Sequence, residues 1–326
     1  MVILVTGGAG FIGSHLIRHL VKSYPDYNLI NLDALTYAAD LSRLDDVNNA
    51  PNYQFVEGNI NDSSLLDSLF STHHIEAVIH LAAESHVDRS IEGPMPFAET
   101  NIVGTMNLLN ACRTHWKKGA NHQFYHISTD EVYGSLGKEG VFTEQSPYQP
   151  RSPYAASKAS AEHMVRAYGE TYGLPYVVSN CSNNYGPDQH SEKLIPTLIH
   201  SLQQNKALPI YGDGLNVRDW LYVEDHVSAM DVIFHHGNLG ETYLVGGRCE
   251  QSNLEVAKAL CRAYDRRVGQ DLGTAEKLIT FVTDRPGHDF RYAIDPSKLE
   301  STLGWSPKTN WDEGIEKTIT AYLDNK

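Results

Sequence analysis

Val2-Ile3-Leu4-Val5-Thr6-Gly7-Gly8-Ala9-Gly10-Phe11-Ile12-Gly13-Ser14 decides the fold. Its first five residues are a continuous apolar, β-rich run, as expected of a central parallel strand covered on both faces. The glycines fit G-x-x-G-x-x-G from Gly7 or G-x-G-x-x-G from Gly8. Either register serves the same ends: a tight turn, close backbone approach to a pyrophosphate, and close helix–strand packing. Leu16, Ile17, His19, Leu20 and Val21 then follow a helical pattern. The N-terminus of that helix would present free N–H groups to an anion.

Working outward, a second strand at 28–32 ends in Asp33, twenty residues after Gly13. A carboxylate there can accept hydrogen bonds from an adenosine ribose and repel a 2′-phosphate, which favours NAD over NADP. Strand patterns recur at 53–60, 77–83, 123–127 and 176–180, with helical patterns at 63–70, 100–116 and 154–172 between them. This alternation implies an α/β fold, a Rossmann-type doubly wound parallel sheet. Past residue 180 the regularity weakens. A polar loop (180–187), a helix start (192–196), a hairpin signal (209–214, then 217–223) and a turn-rich stretch (284–291) follow. These suggest a smaller, interlocked C-terminal substrate domain. The expected division is 1–180 with about 222–240 for the NAD-binding domain, and 181–221 with 241–326 for the other.

The chain has 326 residues, 41% of them hydrophobic, enough for a sizeable core. A formal net charge of −14 argues against a nucleic-acid binder, which would show a basic face. No run of apolar residues is long enough for a membrane span, and the first residues read as a strand, not a signal peptide. Cys112, Cys181, Cys249 and Cys261 show no CxxC spacing and read as reduced thiols of a cytoplasmic protein. The sixteen histidines are scattered with no ligand spacing, so no metal site is expected.

The chemistry gathers after the fifth strand, in Ser128-Thr129-Asp130-Glu131-Val132-Tyr133-Gly134, and in Tyr154-Ala155-Ala156-Ser157-Lys158. A phenol is a poor base near neutrality, but a nearby cation favours the phenolate. Tyr154 and Lys158, at i and i+4, share a helix face. Tyr154 then suits removal of a hydroxyl proton as hydride leaves for NAD, with Thr129 hydrogen-bonding the same hydroxyl. Asp130 and Glu131 are surplus to a redox step. Adjacent residues of a regular strand point to opposite faces. Both carboxylates can serve one site only if the backbone turns off the strand at 130–131.

Thr6-Gly-Gly-Ala-Gly-Phe-Ile-Gly-Ser14, Tyr154-x3-Lys158 and Asn184-Tyr-Gly-Pro187 together resemble the extended short-chain dehydrogenase/reductases that act on nucleotide sugars. Leu35-Thr-Tyr-Ala38, Ala83-Glu-Ser-His-Val-Asp-Arg-Ser90, Ser128–Gly134, Glu192-Lys-Leu-Ile-Pro196, Arg218-Asp-Trp-Leu-Tyr222 and Asp284-Arg-Pro-Gly-His288 are similar to the 4,6-dehydratase family within that group. The likeness runs nearly end to end. It implies a hydro-lyase that oxidises C4 of dTDP-glucose with NAD, eliminates water across C5–C6, and reduces C6. Glu131 would be the C5 base and Asp130 the acid for the departing hydroxyl, beside Thr129, Tyr154 and Lys158. A raised pKa on Asp130 would follow from its neighbour's charge and from burial.

The resemblance also implies cofactor contacts at Gly7, Gly10, Phe11, Ile12, Gly13, Asp33, Ala34, Leu35, Thr36, Asn59, Ile60, Leu81, Ala82, Ala83, Thr100, Tyr154, Lys158 and Asn184. Substrate contacts fall at Ser85, Thr129, Asn183, Glu192, Lys193, Leu194, Pro209, Ile210, Tyr211, Arg218, Asn253, Asp284, Arg285 and His288, with Arg218 the natural diphosphate partner. A homodimer is implied through the helices near 100–116 and 154–172. The chain departs from the family pattern at Asn59 (usually Asp), at Asp188-Gln-His-Ser191 and at Phe290. A dehydratase of a UDP- or CDP-hexose, or a UDP-sugar 4-epimerase, remains the alternative. Epimerases carry Ser-Ser-small where this chain has Ser128-Thr129-Asp130, so Thr129-Asp130-Glu131 discriminates.

Overall fold

The computed structural model describes residues 1–117, 119–284 and 288–324. In chain order the first elements are β1 (Val2–Thr6), α1 (Phe11–Ser23), β2 (Asn28–Asp33), β3 (Tyr53–Glu57), α2 (Ser63–His73), β4 (Ala77–His80), α3 (Val87–Glu92) and α4 (Met95–Phe97). They are followed by α5 (Thr105–His115), β5 (Gln123–Thr129), α6 (Pro153–Tyr172) and β6 (Tyr176–Cys181). Next come β7 (Asn183–Tyr185), α7 (Leu194–Gln203), β8 (Leu208–Tyr211), β9 (Val217–Tyr222), α8 (Val223–His236) and β10 (Thr242–Val245). The chain ends with β11 (Glu250–Ser252), α9 (Asn253–Val268), β12 (Ile279–Val282), α10 (Ser297–Leu303) and α11 (Trp311–Asp324).

Two compact units emerge. The first comprises Met1–Gly134, Ser146–Asn180 and Met230–Tyr243; the second comprises Ser135–Gln145, Cys181–Ala229 and Leu244–Lys326. This division departs from the sequence boundaries in three places, at 135–145, at the start of α8 and at 241–243, and hydrogen bonds explain the first two. Residues 135–145 join the second unit, where Leu136 N–H donates to Arg291 O and Phe142 N–H to Ala293 O, both at 2.9 Å. The start of α8 does so too, because the Asp225 carboxylate accepts from Lys308 N and Thr309 N at 3.1 and 2.9 Å.

The first unit is organised on a seven-stranded sheet in the order β10-β6-β5-β4-β1-β2-β3. That order reverses between β1 and β4, and ligands of doubly wound sheets bind beyond the strand carboxyl ends at such a switch point. The strands are apolar on both faces. Leu4, Ile30, Leu32, Val78, Phe124 and Val178 pack with Leu66, Phe70, Leu108, Leu109 and Val165 of the helices. Truncating any one of these to alanine would cost about 2–5 kcal/mol.

Two sequence expectations give way here. The 100–116 helix begins earlier and is not uniform: α4 runs into a π-helical turn over Ala98–Gly104 before α5. The wider turn accompanies the buried Asn101 side chain, whose Oδ1 accepts from Glu84 N at 2.9 Å and whose Nδ2 donates to Glu84 O at 3.0 Å. Strands three and four stop at Glu57 and His80, short of the apolar patterns.

The second unit has smaller sheets, β11-β9-β7 and β12-β8. Its core sets Ile195, Leu198 and Leu202 of α7, Val256 and Leu260 of α9, and Ile315 and Ile319 of α11 against Tyr185, Ile210 and Trp220. The hairpin expected around 209–223 does not form. β8 pairs in parallel with β12, and β9 pairs with β7 and β11. Gly212 and Gly214, at φ +58° and +74°, turn the chain between β8 and β9 without joining them.

Candidate active site

The first and last glycines of the turn are fixed by close backbone approaches. A Cβ on Gly7 would stand 2.7 Å from Ala82 N, and one on Gly13 would stand 2.1 Å from Gly7 O. Gly7 also holds φ +76°, which strains any other residue. Gly10 is the N-cap of α1, and with no side chain there the helix end stays open to a ligand. Asp33 closes the loop: its two oxygens accept from Ala9 N and Leu35 N, each at 2.9 Å. Burial pushes its carboxyl up, opposed by those two bonds and by Arg43. The neighbouring Leu35 takes φ +49°. On the far side, Leu81 N donates to Thr6 O and Ala82 N to the Thr6 hydroxyl, at 3.1 and 3.2 Å. This cradle, a helix N-terminus beside a carboxylate at the end of β2, fits a dinucleotide. Asn59 is spent locally, its Oδ1 accepting from Asn61 N at 2.9 Å.

β5 ends where the carboxylates begin. A 3-10 turn covers Asp130–Tyr133, and Thr129 Oγ1 caps it by accepting from Glu131 N at 3.3 Å. The backbone therefore leaves the strand at the residue where the sequence requires it to. The Thr129 hydroxyl donates to Asp130 Oδ1 at 3.3 Å. Asp130 is 1% exposed, whereas Glu131 is half-buried.

Helix α6 is pinned at its start: Ser152 Oγ accepts from Ala155 N at 3.1 Å, and Pro153 occupies the first turn. Tyr154 is therefore the second residue of a well-capped helix. Lys158, 5% exposed, donates through Nζ to Ile127 O at 2.7 Å.

Two buried polar chains support this arrangement, and neither stands out in the sequence. In the first, the Thr6 hydroxyl meets His80 Nδ1 at 2.7 Å, His80 Nε2 meets the Thr105 hydroxyl at 2.9 Å, and Thr105 donates to Asn101 O at 2.6 Å. Asn101 Nδ2 then donates to Ser157 Oγ at 2.8 Å, and Ser157 to Tyr154 O at 2.7 Å. The glycine loop and the Tyr154 turn are thus joined through the core. Burial and the Lys158 charge hold His80 neutral, its pKa lowered to about 3. The second chain centres on Glu162 and Asn180. Asn180 Nδ2 donates to Glu162 Oε1 at 2.7 Å and to Thr129 O at 3.1 Å. The only hint of either chain in the sequence is polar residues on faces that should be apolar.

In the second unit, Pro209, Ile210 and Tyr211 lie on β8. The Tyr211 ring meets His288 edge-on at 6.4 Å, and His288 Nδ1 stands 2.7 Å from Asp284 Oδ1. Asn253 opens α9 and donates from its backbone to Asn216 O at 3.0 Å. Lys193 is the N-cap of α7, next to Glu192 and Leu194. Asn183 and Asn184 are on β7, and Asn184 Oδ1 pairs with His226 Nδ1 at 2.8 Å. Arg218 is 6% exposed, its guanidinium donating to Val217 O at 2.7 Å and Asp289 O at 2.9 Å above the Tyr292 ring. Arg285 lies outside the described residues. Among the described residues no cluster of His, Cys, Asp and Glu could hold a metal ion, and no helix is long and apolar enough to cross a membrane.

Comparison with known proteins gives the family. A family model described as GDP-mannose 4,6 dehydratase matches residues 4–318. The dTDP-glucose 4,6-dehydratase of Neisseria meningitidis serogroup B is 51% identical over 333 residues, covering 99% of this chain and 94% of the relative. Among solved structures, the dTDP-glucose 4,6-dehydratase of Bacillus anthracis in complex with NAD superposes with a TM-score of 0.89 at 44% identity, covering 100% and 97% of the two chains. DesIV of Streptomyces venezuelae, the same enzyme with NAD and TYD bound, gives 0.91 at 43% identity and covers 100% and 98%. With a family model over residues 4–318 and full-length relatives at about half identity, the chain belongs to the dTDP-glucose 4,6-dehydratase family.

Proposed function

We propose that the protein converts dTDP-glucose into dTDP-4-keto-6-deoxyglucose by an NAD-dependent loss of water, as a hydro-lyase. The observation that carries this reading is the turn at Asp130–Tyr133, which puts two carboxylates at the end of the strand whose Ile127 carbonyl holds Lys158. A 4-epimerase built on this scaffold has no use for such a pair.

NAD, held by the glycine turn and Asp33, supplies oxidation at C4 and returns reduction at C6. Tyr154, made acidic enough by the Lys158 ammonium, takes the C4 hydroxyl proton. The Thr129 hydroxyl orients that oxygen. The resulting C4 ketone acidifies the C5 proton, which Glu131 removes. Asp130, enclosed away from bulk water, protonates the C6 hydroxyl as it leaves. After reduction at C6, Glu131 returns its proton to C5. Tyr154 then holds one proton more and Asp130 one fewer than at the start, and passage of that proton from Tyr154 to Asp130 through solvent restores both. Tyr211, Asn253, Asp284, His288 and Arg218, with Asn183, Glu192 and Lys193, are the proposed nucleotide-sugar contacts. For Arg218 this means exchanging backbone carbonyls for a diphosphate. We further read the protein as a cytoplasmic homodimer. The exposed Ile91, Met95, Val103 and Tyr172 of the first unit support a covered face, and a monomeric mass in sedimentation would refute it.

Incubation with dTDP-glucose, without added cofactor, should yield a product lighter by one water. Recovery of dTDP-galactose would overturn the reading in favour of the epimerase. UDP-, CDP- and GDP-hexoses tested in parallel settle the base preference. Glu131→Gln should retain C4 oxidation and lose dehydration by about 100-fold or more, the range of a general base.

A further inference from the structure

Glu162 takes no part in the chemistry above, yet it lies one helical turn beyond Lys158 on α6 and is 0% exposed. A buried carboxylate is costly unless donors surround it. Glu162 accepts from the Tyr148 hydroxyl and from Asn180 Nδ2, with Ser128 and the Arg166 cation nearby. Burial pushes its carboxyl up, against its hydrogen-bond donors and Arg166.

These groups surround the turn that carries Asp130 and Glu131. Ser128 precedes it. Asn180 spans it, with Nδ2 on the Thr129 carbonyl at 3.1 Å and Oδ1 accepting from the Tyr133 hydroxyl at 3.3 Å. Nδ2 has two hydrogens, one for Thr129 O and one for Glu162 Oε1. A flipped amide would point Oδ1 at the carboxylate and lose both. The Glu162 charge therefore decides which way Asn180 faces, and Asn180 fixes both ends of the turn. Tyr154 and Lys158 are secured by contacts that bypass Asn180: Ser157 to Tyr154 O, Asn101 to Ser157, and Lys158 to Ile127 O.

We propose that Glu162 is a positioning residue for the elimination step: through Asn180 it holds the Asp130–Glu131 turn so that acid and base address neighbouring carbons. The proposal rests on the dehydratase reading above. It separates Glu162 from a merely structural carboxylate, whose loss would weaken all steps alike or only the fold.

The test is single-turnover kinetics of the full-length protein with its bound cofactor and dTDP-glucose. Absorbance of reduced nicotinamide reports C4 oxidation, solvent deuterium at C5 reports the base, and product mass reports water loss. In Glu162→Gln, oxidation should stay within about 3-fold of the parent. Exchange and water loss should fall by up to about 100-fold, the cost of misplacing reacting groups by about 1 Å. Asn180→Ala should show the same selectivity, and the double variant should lose little more than either single, because the two act in series. Tyr148→Phe keeps the ring and leaves the Asn180 contact intact, so it should stay within about 3-fold in every step. Equal loss of oxidation and elimination, no loss in a folded variant, or additive effects with Asn180→Ala would each overturn the proposal. If Glu162→Gln fails to melt cooperatively or to retain NAD, Asn180→Ala decides by the same readouts. A parent protein that releases no water from dTDP-glucose instead overturns the function reading, and that control is read first.

Discussion

The two units reach their sites by different routes. In the first, β1, β2, β4 and β5 run in parallel register, and the residues that matter follow strand ends directly: Gly7 after β1, Asp33 at the end of β2, Ala82 after β4, Asp130 after β5. Backbone geometry places them. In the second, β8 must find β12 some 70 residues away, and β9 is shared between a parallel and an antiparallel neighbour. There, side-chain pairs such as His288 with Asp284 do the placing. A site fixed by backbone is written in contiguous sequence; a site assembled by long-range pairing is written in pieces whose meaning depends on the fold.

If that contrast is right, the same substitution should fail differently in the two units. Gly13→Ala and Gly247→Ala both drive a Cβ into backbone, 2.1 Å from Gly7 O and 1.9 Å from Trp220 O. Each should lose stability by about 3 kcal/mol or more, as overpacking of a rigid neighbour does. Gly13→Ala should also strip NAD and reduce turnover by about 100-fold or more, because the cradle itself shifts. Gly247→Ala should keep NAD in its folded fraction. Cofactor content after desalting, set beside thermal melts, checks both. NAD loss confined to Gly247→Ala would break the comparison.

A smaller difference concerns protons in the second unit, where two buried groups oppose one another. Burial lifts Asp219 to about 6, against bonds from Cys249 N and Gly247 N. Burial lowers His226 to about 3. Asp219 has a raised folded pKa, so its contribution is complete below pH 3.8 and is lost as pH rises through about 6. His226 has a depressed one, so its contribution is complete above pH 6.5 and is lost as pH falls towards 3. Between pH 4 and 6 the two changes nearly cancel, at about 3 kcal/mol each across the window. Asp219→Asn removes one slope and should make the second unit acid-labile. Hydrogen exchange of β9 and α8 at pH 4.5 and 6.5 should show protection lost in the variant and retained in the parent. Equal protection in both would mean that the two groups do not titrate as a pair.

What the sequence makes legible follows the same divide. The glycine loop, Asp33, the turn after Thr129 and the Tyr154–Lys158 pair can be read because spacing along one strand or helix determines their geometry. The π-helical turn at Ala98–Gly104 cannot, because its cause is Asn101 reaching back to Glu84 across the fold. Nor can the β8–β12 pairing, since Gly212 and Gly214 look like a hairpin until β9 is seen to be occupied on both sides. Arg218 reads as a diphosphate partner, but its guanidinium is turned onto backbone carbonyls that only the fold brings near. Nothing in the sequence singles out Glu162. Only its complete burial, beside Ser128 and Asn180, does so.

The mildest substitutions sharpen the contrast furthest. Ser152 and Ser252 are both N-caps: Ser152 Oγ accepts from Ala155 N at 3.1 Å, and Ser252 Oγ from Glu255 N at 3.2 Å within a capping box. Replacing either by alanine should cost about 1 kcal/mol of stability. In the second unit that cost should be all there is, because α9 carries its proposed substrate contact, Asn253, on a backbone also held by Asn216 O and Gly214 O through Asn253 and Leu254. In the first, Tyr154 is only two residues past the cap, and a frayed first turn displaces the phenol itself. Ser152→Ala should therefore lose about 10-fold in turnover, with KM unchanged, for the same fall in melting temperature that Ser252→Ala shows at full turnover. Equal turnover in the two would mean that the buried chain through Asn101 and Ser157, not the cap, holds Tyr154, and would move the decisive contact from the helix end into the core.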